Sequence, residues 1–292
     1  MPELPEVETT VRELRHHLVG LKITRLWTDW PRISRHQPFN KLAKKMQGHE
    51  IVAVRRRAKY IVLDLDGPRS VVIHQKISGH LLYGKWRQTK GKWISDLSGP
   101  LSTDPKNAYL RLVLWLNNGY QLALSDLRRF GTIAISDDSD VTNGRVLDGL
   151  GPEPLELSLK EFRKLFEKKR GFIKPVLMDP GFIVGIGNIY ADEILWHVGL
   201  HPKSRVEKLT QKDIDSLYKF TRSVLKTAIK HGGASVDDYR HPSGKKGDFQ
   251  NITRAYQRTG QPCSKRDGGT IRRLVIGQRS AHFCYKHQKL RA

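Results

Sequence analysis

The spacing of apolar residues changes once along this chain, near residue 136, and that change demands two unlike parts. Before it, short runs rich in Val, Ile and Leu are broken by Gly, Asp and Asn, at residues 22–26, 51–56, 60–65, 70–74, 109–114, 120–125 and 131–135. Runs of this length and composition predict strands, and Asn117-Asn118-Gly119 supplies a hairpin turn between two of them. One helix comes first: Val7, Val11, Leu14 and Leu18 recur at helical spacing from Met1 to Leu18, and Gly20 stops them. Beyond the change the period lengthens and predicts helices over 158–169, 188–198 and 210–231, with Gly199 and Gly232-Gly233 at helix ends. Strand-like runs at 270–276 and 281–285 flank Gly277-Gln278 and close the chain with a hairpin. The expected fold class is α+β: an N-terminal helix with an antiparallel β-sandwich, then a helical domain, then a C-terminal β-hairpin. The expected domains are residues 1–136, a polar Gly- and Pro-containing linker at 137–157, a helical domain with a long loop at 158–248, and a terminal hairpin at 249–292.

Charge narrows the partner. With 52 Lys and Arg against 29 Asp and Glu, the formal net charge is +23. Such a field draws polyanions and neutralises phosphates, so nucleic acid is the expected partner. The plainer reading is a solvated basic surface. No apolar run is long enough to cross a bilayer, and no basic leader precedes an apolar core, so no membrane partner is expected. The expected compartment is the cytoplasm or nucleus. Cys263 and Cys284 are the only cysteines, too few for a disulfide framework, and a reducing compartment argues against their pairing.

The first residues carry a candidate nucleophile. Removal of Met1 leaves Pro2 with a free secondary amine, which titrates near ~8 and is partly neutral at pH 7. Such an amine can attack an electrophilic carbon and form an iminium. Glu3 adjoins it, and Glu6 lies three residues on, within reach on one helical face. An amine beside a proton donor is a catalytic pair. The plainer reading is a proline and acids at a helix start, where both are favoured.

The stretch MPELPEVETTVRELRHHLVG resembles the N-terminus of the bacterial formamidopyrimidine-DNA glycosylase family, and the likeness runs along the whole chain. The resemblance implies a monomeric base-excision repair enzyme that binds double-stranded DNA holding an oxidised base or abasic site, nucleoid-associated if bacterial. It implies that the residue after Met1 is the nucleophile, that Glu3 moves protons, and that Glu6 orders the amine or the helix start. Lys59, after Arg55, Arg56 and Arg57 at the opening of a strand, resembles the family lysine beside the reacting sugar. His74 in HQKISG resembles a phosphate-contacting histidine. Ile77 replaces a methionine that fills the space left by an extruded base, and it is stiffer.

In DLRRFG, Asp126 to Gly131, Arg128 and Phe130 resemble the wedge that enters the duplex and Arg129 a phosphate clamp. Base flipping needs such a filler. The GIGN at Gly185 to Asn188 exposes backbone N–H groups at a helix start, where Asn188 can cap the helix or contact DNA. Its context, with Lys174 upstream as a further expected DNA contact, resembles the family's helix–two-turn–helix DNA-binding module. No βαβ unit surrounds this Gly-x-Gly, so it is not a dinucleotide site. The glycine-rich stretch from Gly232 resembles the loop that closes over an extruded base, with Ser235, Val236, Asp238 and Tyr239 as its candidate contacts. A disordered basic loop is the plainer reading.

The family ends in a zinc hairpin of pattern C-x2-C-x16-C-x2-C. Here one inserted residue gives Cys263-x3-Asp267-x16-Cys284-x2-His287. Zinc accepts sulfur, imidazole nitrogen and carboxylate oxygen. The competing reading is a hairpin held by Leu274, Ile276 and Phe283 without metal. In either case Arg279 resembles the arginine at the hairpin tip that meets the phosphate beside the lesion. The implied substrates are oxidised purines, 8-oxoguanine or ring-opened formamidopyrimidines, released with β,δ-elimination. The alternatives are an oxidised-pyrimidine glycosylase on the same scaffold, a non-catalytic binder of damaged DNA, and a nonspecific chromatin or RNA binder.

Overall fold

The computed structural model describes residues 1–35, 37–137 and 147–292. The period-two runs fold into two four-stranded antiparallel sheets. One joins β1 (Ile23–Thr28), β8 (Leu110–Leu116), β9 (Gln121–Ser125) and β5 (His80–Gly84) in that spatial order. The other joins β10 (Thr132–Asp137), β4 (Arg69–His74), β3 (Tyr60–Leu65) and β2 (Ile51–Arg57). Alternate residues point inward and meet: Leu112, Leu114, Leu122 and Leu124 from the first sheet, Ile61, Leu63, Val71 and Ile73 from the second. This is the expected sandwich.

Helix α1 spans Leu4–Leu18, so it starts three residues later than the periodicity suggested. Proline lacks the amide proton that a helix interior requires. Glu3 therefore takes the N-cap position with extended backbone and forms a capping box with Glu6. Val7, Val11, Leu14 and Leu18 are fully buried in the sandwich core. Each contributes roughly 1.5–3 kcal/mol by leaving water, which holds the N-terminus against the sheet.

Several elements lay below the resolution of the pattern. Helix α2 (Phe39–Met46) buries Phe39, Leu42 and Met46 in the same core. Strand β5 and the hairpin of β6 (Trp86–Thr89) and β7 (Lys92–Ser95) were not foreseen, nor was the short α3 (Pro100–Thr103). The β6–β7 hairpin and α3 cover the outer face of the first sheet, where Leu82, Val113 and Ala123 meet Trp86 and Leu101 in a second core.

The chain divides into two compact units, Met1–Asp148 with His231–Gln250, and Gly149–Lys230 with Asn251–Ala292. The stretch 231–250, grouped with the helical domain on sequence, is thus part of the first unit. Its hydrogen bonds to α1 and to the β7–β8 connection, described below, put it there. Of the expected linker, residues 138–146 lie outside the described residues. The second unit contains α4 (Leu159–Phe166), α5 (Ile173–Met178), α6 (Asn188–Val198) and α7 (Gln211–Lys230), with the hairpin of β11 (Ile271–Ile276) and β12 (Arg279–Cys284). Gly277 and Gln278 both have positive φ, as a two-residue hairpin turn requires.

Buried histidines make the fold acid-sensitive. His80 is buried against Asn107 Oδ1 at 3.0 Å, and burial pushes it down to about 4. Burial, aided by the Lys76 and Lys59 charges, pushes His74 down to about 3. The unfolded chain, with histidines near 6.5, then binds more protons below that pH than the folded chain does. Stability is present above pH 6.5 and falls as pH drops towards 4, by about 1.4 kcal/mol per pH unit for each group. Urea midpoints at pH 7.5, 5.5 and 4.5 should fall in that order, and His80→Gln should flatten the slope. A midpoint independent of pH would contradict this.

Candidate active site and DNA-binding residues

The Glu6 carboxylate ties the start of the chain to the stretch from Ala234. Glu3 and Glu6 are 2% and 1% exposed. Glu6 Oε2 accepts the Glu3 N–H at 2.8 Å, and Oε1 accepts the Ala234 N–H at 2.7 Å. Tyr239 donates its hydroxyl to the Glu6 carbonyl at 3.0 Å. Gly233 has φ +78, and a Cβ there would come within 2.7 Å of Glu6 Oε1. Only glycine lets this backbone approach the carboxylate. Residue 2, buried one position before Glu3, is thereby fixed beside the stretch 233–239.

Lys59 does not open a strand. With Ala58 it forms the two-residue turn between β2 and β3, where Arg57 pairs with Tyr60. Ala58 has φ +54, a conformation that costs a residue with a Cβ roughly 1 kcal/mol or more. Arg56 holds the turn in place. Its guanidinium donates to the Ala58 carbonyl at 3.1 Å and to Glu8 Oε2 on α1 at 2.9 Å. The lysine turn and the N-terminal helix are tied through one side chain.

His74 ends β4. Its Nδ1 accepts the Lys76 N–H at 2.8 Å. With its ring neutral, the proton sits on Nε2, which can donate to a phosphate oxygen across the physiological range.

The two loops expected to enter the duplex meet at Asp126. This carboxylate is fully buried. Oδ1 accepts the Ser78 hydroxyl at 2.5 Å and the Arg128 N–H at 3.2 Å. Oδ2 accepts the Phe130 and Gly131 N–H groups, both at 2.8 Å. The loop after β9 is folded around it and fastened to the loop after β4. Ile77 and Phe130, each 39% exposed, stand out from these loops. The Arg128 guanidinium lies 4.7 Å from the Phe130 ring centre, so cation and ring support one another. Arg129 pairs with Asp29 at 2.9 Å while about half of its side chain stays exposed.

In the second unit the N-cap of α6 is Gly187, not Asn188, which is the first helical residue. Asn188 Nδ2 instead lies 3.4 Å from Ser280 Oγ at the hairpin tip. Lys174 is 1% exposed, against its expectation as a DNA contact. Its ammonium donates to Asp192 Oδ1 and to the Ser280 carbonyl, each at 2.5 Å. Asp192 Oδ2 also accepts the His282 N–H at 3.0 Å. A buried ammonium is held this way because it needs a counter-charge and acceptors. Lys174 thus anchors the hairpin from within, and the exposed Arg279 at its tip is the cation offered to solvent.

Ser235 and Tyr239 are also buried. Ser235 Oγ donates to the Tyr239 carbonyl at 2.8 Å and accepts the Gly247 N–H at 2.9 Å. They shape the loop rather than stand exposed on it.

Cys263, Asp267, Cys284 and His287 converge, with their ligand atoms within 4.8 Å of one another. A tetrahedral zinc with bonds of ~2.0–2.3 Å needs donors about 3.3–3.8 Å apart. Cys263 Sγ lies 3.4 Å from His287 Nδ1, Cys284 Sγ 3.6 Å from Asp267 Oδ2, and His287 Nδ1 3.1 Å from Asp267 Oδ2. His287 Nε2 faces the Trp196 carbonyl at 3.0 Å, which draws the proton to Nε2 and leaves Nδ1 as a ligand. A Cβ on Gly269 would come within 2.5 Å of Cys284 Sγ, so the glycine keeps the cradle open. The four residues fit a metal ion.

Comparison with known proteins decides the family. Residues 1–133 match the family model of the formamidopyrimidine-DNA glycosylase N-terminal domain, and residues 150–240 that of its H2TH domain. The formamidopyrimidine-DNA glycosylase of Heliobacterium modesticaldum is 35% identical over 291 residues, covering 99% of this chain and 100% of the relative. The chain belongs to the formamidopyrimidine-DNA glycosylase family. That of Herpetosiphon aurantiacus is 35% identical over 288 residues, covering 97% and 98%. Among solved structures, a Lactococcus lactis FPG mutant in complex with Fapy-dG containing DNA superposes with TM-score 0.86 at 30% identity, over 99% of this chain and 100% of that one. The wild-type Lactococcus lactis protein with DNA containing an oxidised pyrimidine gives TM-score 0.84 at 30% identity, with the same coverage.

As a formamidopyrimidine-DNA glycosylase, the chain is a bifunctional DNA glycosylase and abasic-site lyase acting on oxidised purines in double-stranded DNA. Within its site, Arg56, Ser78, Asp126 and Asp192 were not singled out for a role on sequence. Each acts through partners 48, 18 or 90 positions away. The DxRRFG pattern did contain Asp126, and its acid beside two arginines was the available signal. No helix among the described residues is long and apolar enough to cross a membrane.

Proposed function

We propose that Pro2, freed of Met1, is the nucleophile of this enzyme. The oxidised purine is turned out of the duplex, and the Pro2 nitrogen attacks C1′ of its deoxyribose. The N-glycosidic bond breaks as the N–C1′ bond forms, and the base leaves with a proton; the C1′–O4′ bond then breaks, O4′ takes up a proton and stays on C4′ as a hydroxyl, and the iminium results. Glu3 moves protons to and from the opened sugar. Glu6 orders the amine by fixing the Glu3 N–H. Lys59 neutralises phosphate beside the sugar, and β- then δ-elimination cuts the strand on both sides.

Arg128, Phe130 and Ile77 fill the vacated space. His74, Arg129, Asn188 and Arg279 hold backbone phosphates. Lys174 serves indirectly, by fixing the hairpin. The observation that carries this reading is the Glu6 carboxylate, which binds residue 3 and residue 234 at once. Functionally, residues 1–136 form the catalytic domain, 158–248 the helix–two-turn–helix domain with a loop that from 231 onward lies in the first unit, and 249–292 the finger, with 137–157 between them. The enzyme works as a monomer in the cytoplasm, on nucleoid DNA.

Excision from 8-oxoguanine and thymine-glycol duplexes, compared under single turnover, tests the lesion class. The purine should be released at least ten times faster. Preference for thymine glycol would favour the second reading, an oxidised-pyrimidine enzyme. That reading has one support, the solved complex of the Lactococcus lactis protein with an oxidised-pyrimidine DNA.

The finger holds zinc through Cys263, Asp267, Cys284 and His287. The metal would be structural, fixing the hairpin base and supplying no chemistry to the reaction. Native mass spectrometry should find one zinc per chain, and chelation should lower the melting temperature. Purified chain that carries no metal and melts unchanged with chelator would refute this site.

A further inference from the structure

Within the first unit the stretch 231–250 is held at Glu6, at Glu13 and Tyr83 through Ser243 and Pro242, and in the β7–β8 connection. Only the contact at Glu6 has a place in the chemistry above; the contacts in the β7–β8 connection are charged. Asp104 Oδ2 accepts from Arg240 Nε at 2.6 Å, and Lys106 Nζ donates to Asp238 Oδ1 at 2.5 Å. Arg240 is buried, and its guanidinium also donates to the Asp237 and Tyr239 carbonyls. Asn107 Nδ2 reaches the Gly244 carbonyl at 3.2 Å.

The order of the charges matters. The connection presents acid then base at 104 and 106; the loop presents acid then base at 238 and 240. They pair crosswise, acid to base in both cases. A slip of two residues would set Lys106 against Arg240, or Asp104 against Asp238. Like charges repel, so the arrangement permits one register and rejects its neighbours. That register also sets where Ala234 and Tyr239 meet Glu6.

We propose that Asp104 and Lys106 are positioning residues for base-bearing lesions, holding the loop in the register in which it closes over an extruded base. The inference rests on the reading of this stretch as the base-covering loop. An abasic site offers no base to cover. The latch therefore acts on excision of a damaged base and not on cleavage of a preformed abasic site.

The test uses the full chain and two duplexes, one with 8-oxoguanine and one with a preformed abasic site. Lys106→Ala should slow excision about fivefold, the upper range for a partly exposed ion pair, and leave abasic-site cleavage unchanged. Lys106→Asp should slow it further, and adding Asp238→Lys should restore it. Lys106→Met supplies the same comparison if the swapped pair fails to fold. Equal losses on both duplexes, no loss on either, or a folded swap without recovery would overturn the proposal. A wild-type chain inactive on both duplexes would instead overturn the reading of the enzyme itself, and this inference with it.

Discussion

A chain that keeps Met1 binds lesion duplex but neither releases the base nor cuts the strand. The nitrogen of Pro2 is then an amide, whose lone pair is delocalised into the carbonyl and does not attack carbon. The Glu6 bridge, the Lys59 turn and the wedge loops do not depend on that nitrogen's charge, so DNA affinity survives. Loss of the nucleophile should reduce single-turnover excision by ~10⁴-fold or more. The processed and unprocessed forms differ by one methionine in intact mass and can be compared directly. Equal excision by a preparation wholly retaining Met1 would show that another group carries the reaction.

Asp126→Ala should be the most damaging change away from the N-terminus. The carboxylate is the shared acceptor for Ser78 Oγ and for the N–H groups of Arg128, Phe130 and Gly131. Gly131 N and Ser78 Oγ are in buried residues, so alanine strands donors with no water to replace the acid. Each buried donor left unpaired costs about 1–3 kcal/mol, and two or more are stranded together. A stability loss of about 3 kcal/mol is expected in urea unfolding. Excision should fall roughly 100-fold, because the loops bearing Arg128, Phe130 and Ile77 lose their common anchor. Unchanged unfolding and full excision would show that the loops hold themselves.

Much of this was readable in the chain, for identifiable reasons. Strand β3 lies where alternation put it, since its inward Ile61 and Leu63 face one core. The outer elements were hidden because they serve a second core: Leu82 and Val113 face outward to Trp86, which blurs the alternation of their own strands. The start of α1 was misplaced by three residues because apolar spacing does not register the amide that proline lacks. Lys174 read as a surface cation, because sequence carries no mark of the buried Asp192 waiting for it. The metal cluster was legible despite its inserted residue, since resemblance gave the spacing from Asp267 to His287. Asp104 and Arg240, 136 positions apart, belong to the class of pairing no local pattern reaches.

Borohydride trapping tests the nucleophile most directly. The processed chain is mixed with duplex holding 8-oxoguanine or an abasic site, and reductant is added. Reduction of the iminium should fix one DNA strand to the protein, and peptide mapping should place the adduct on Pro2. An adduct mapped to another amine, Lys59 included, or excision with no adduct at all, would contradict attack by the N-terminal proline.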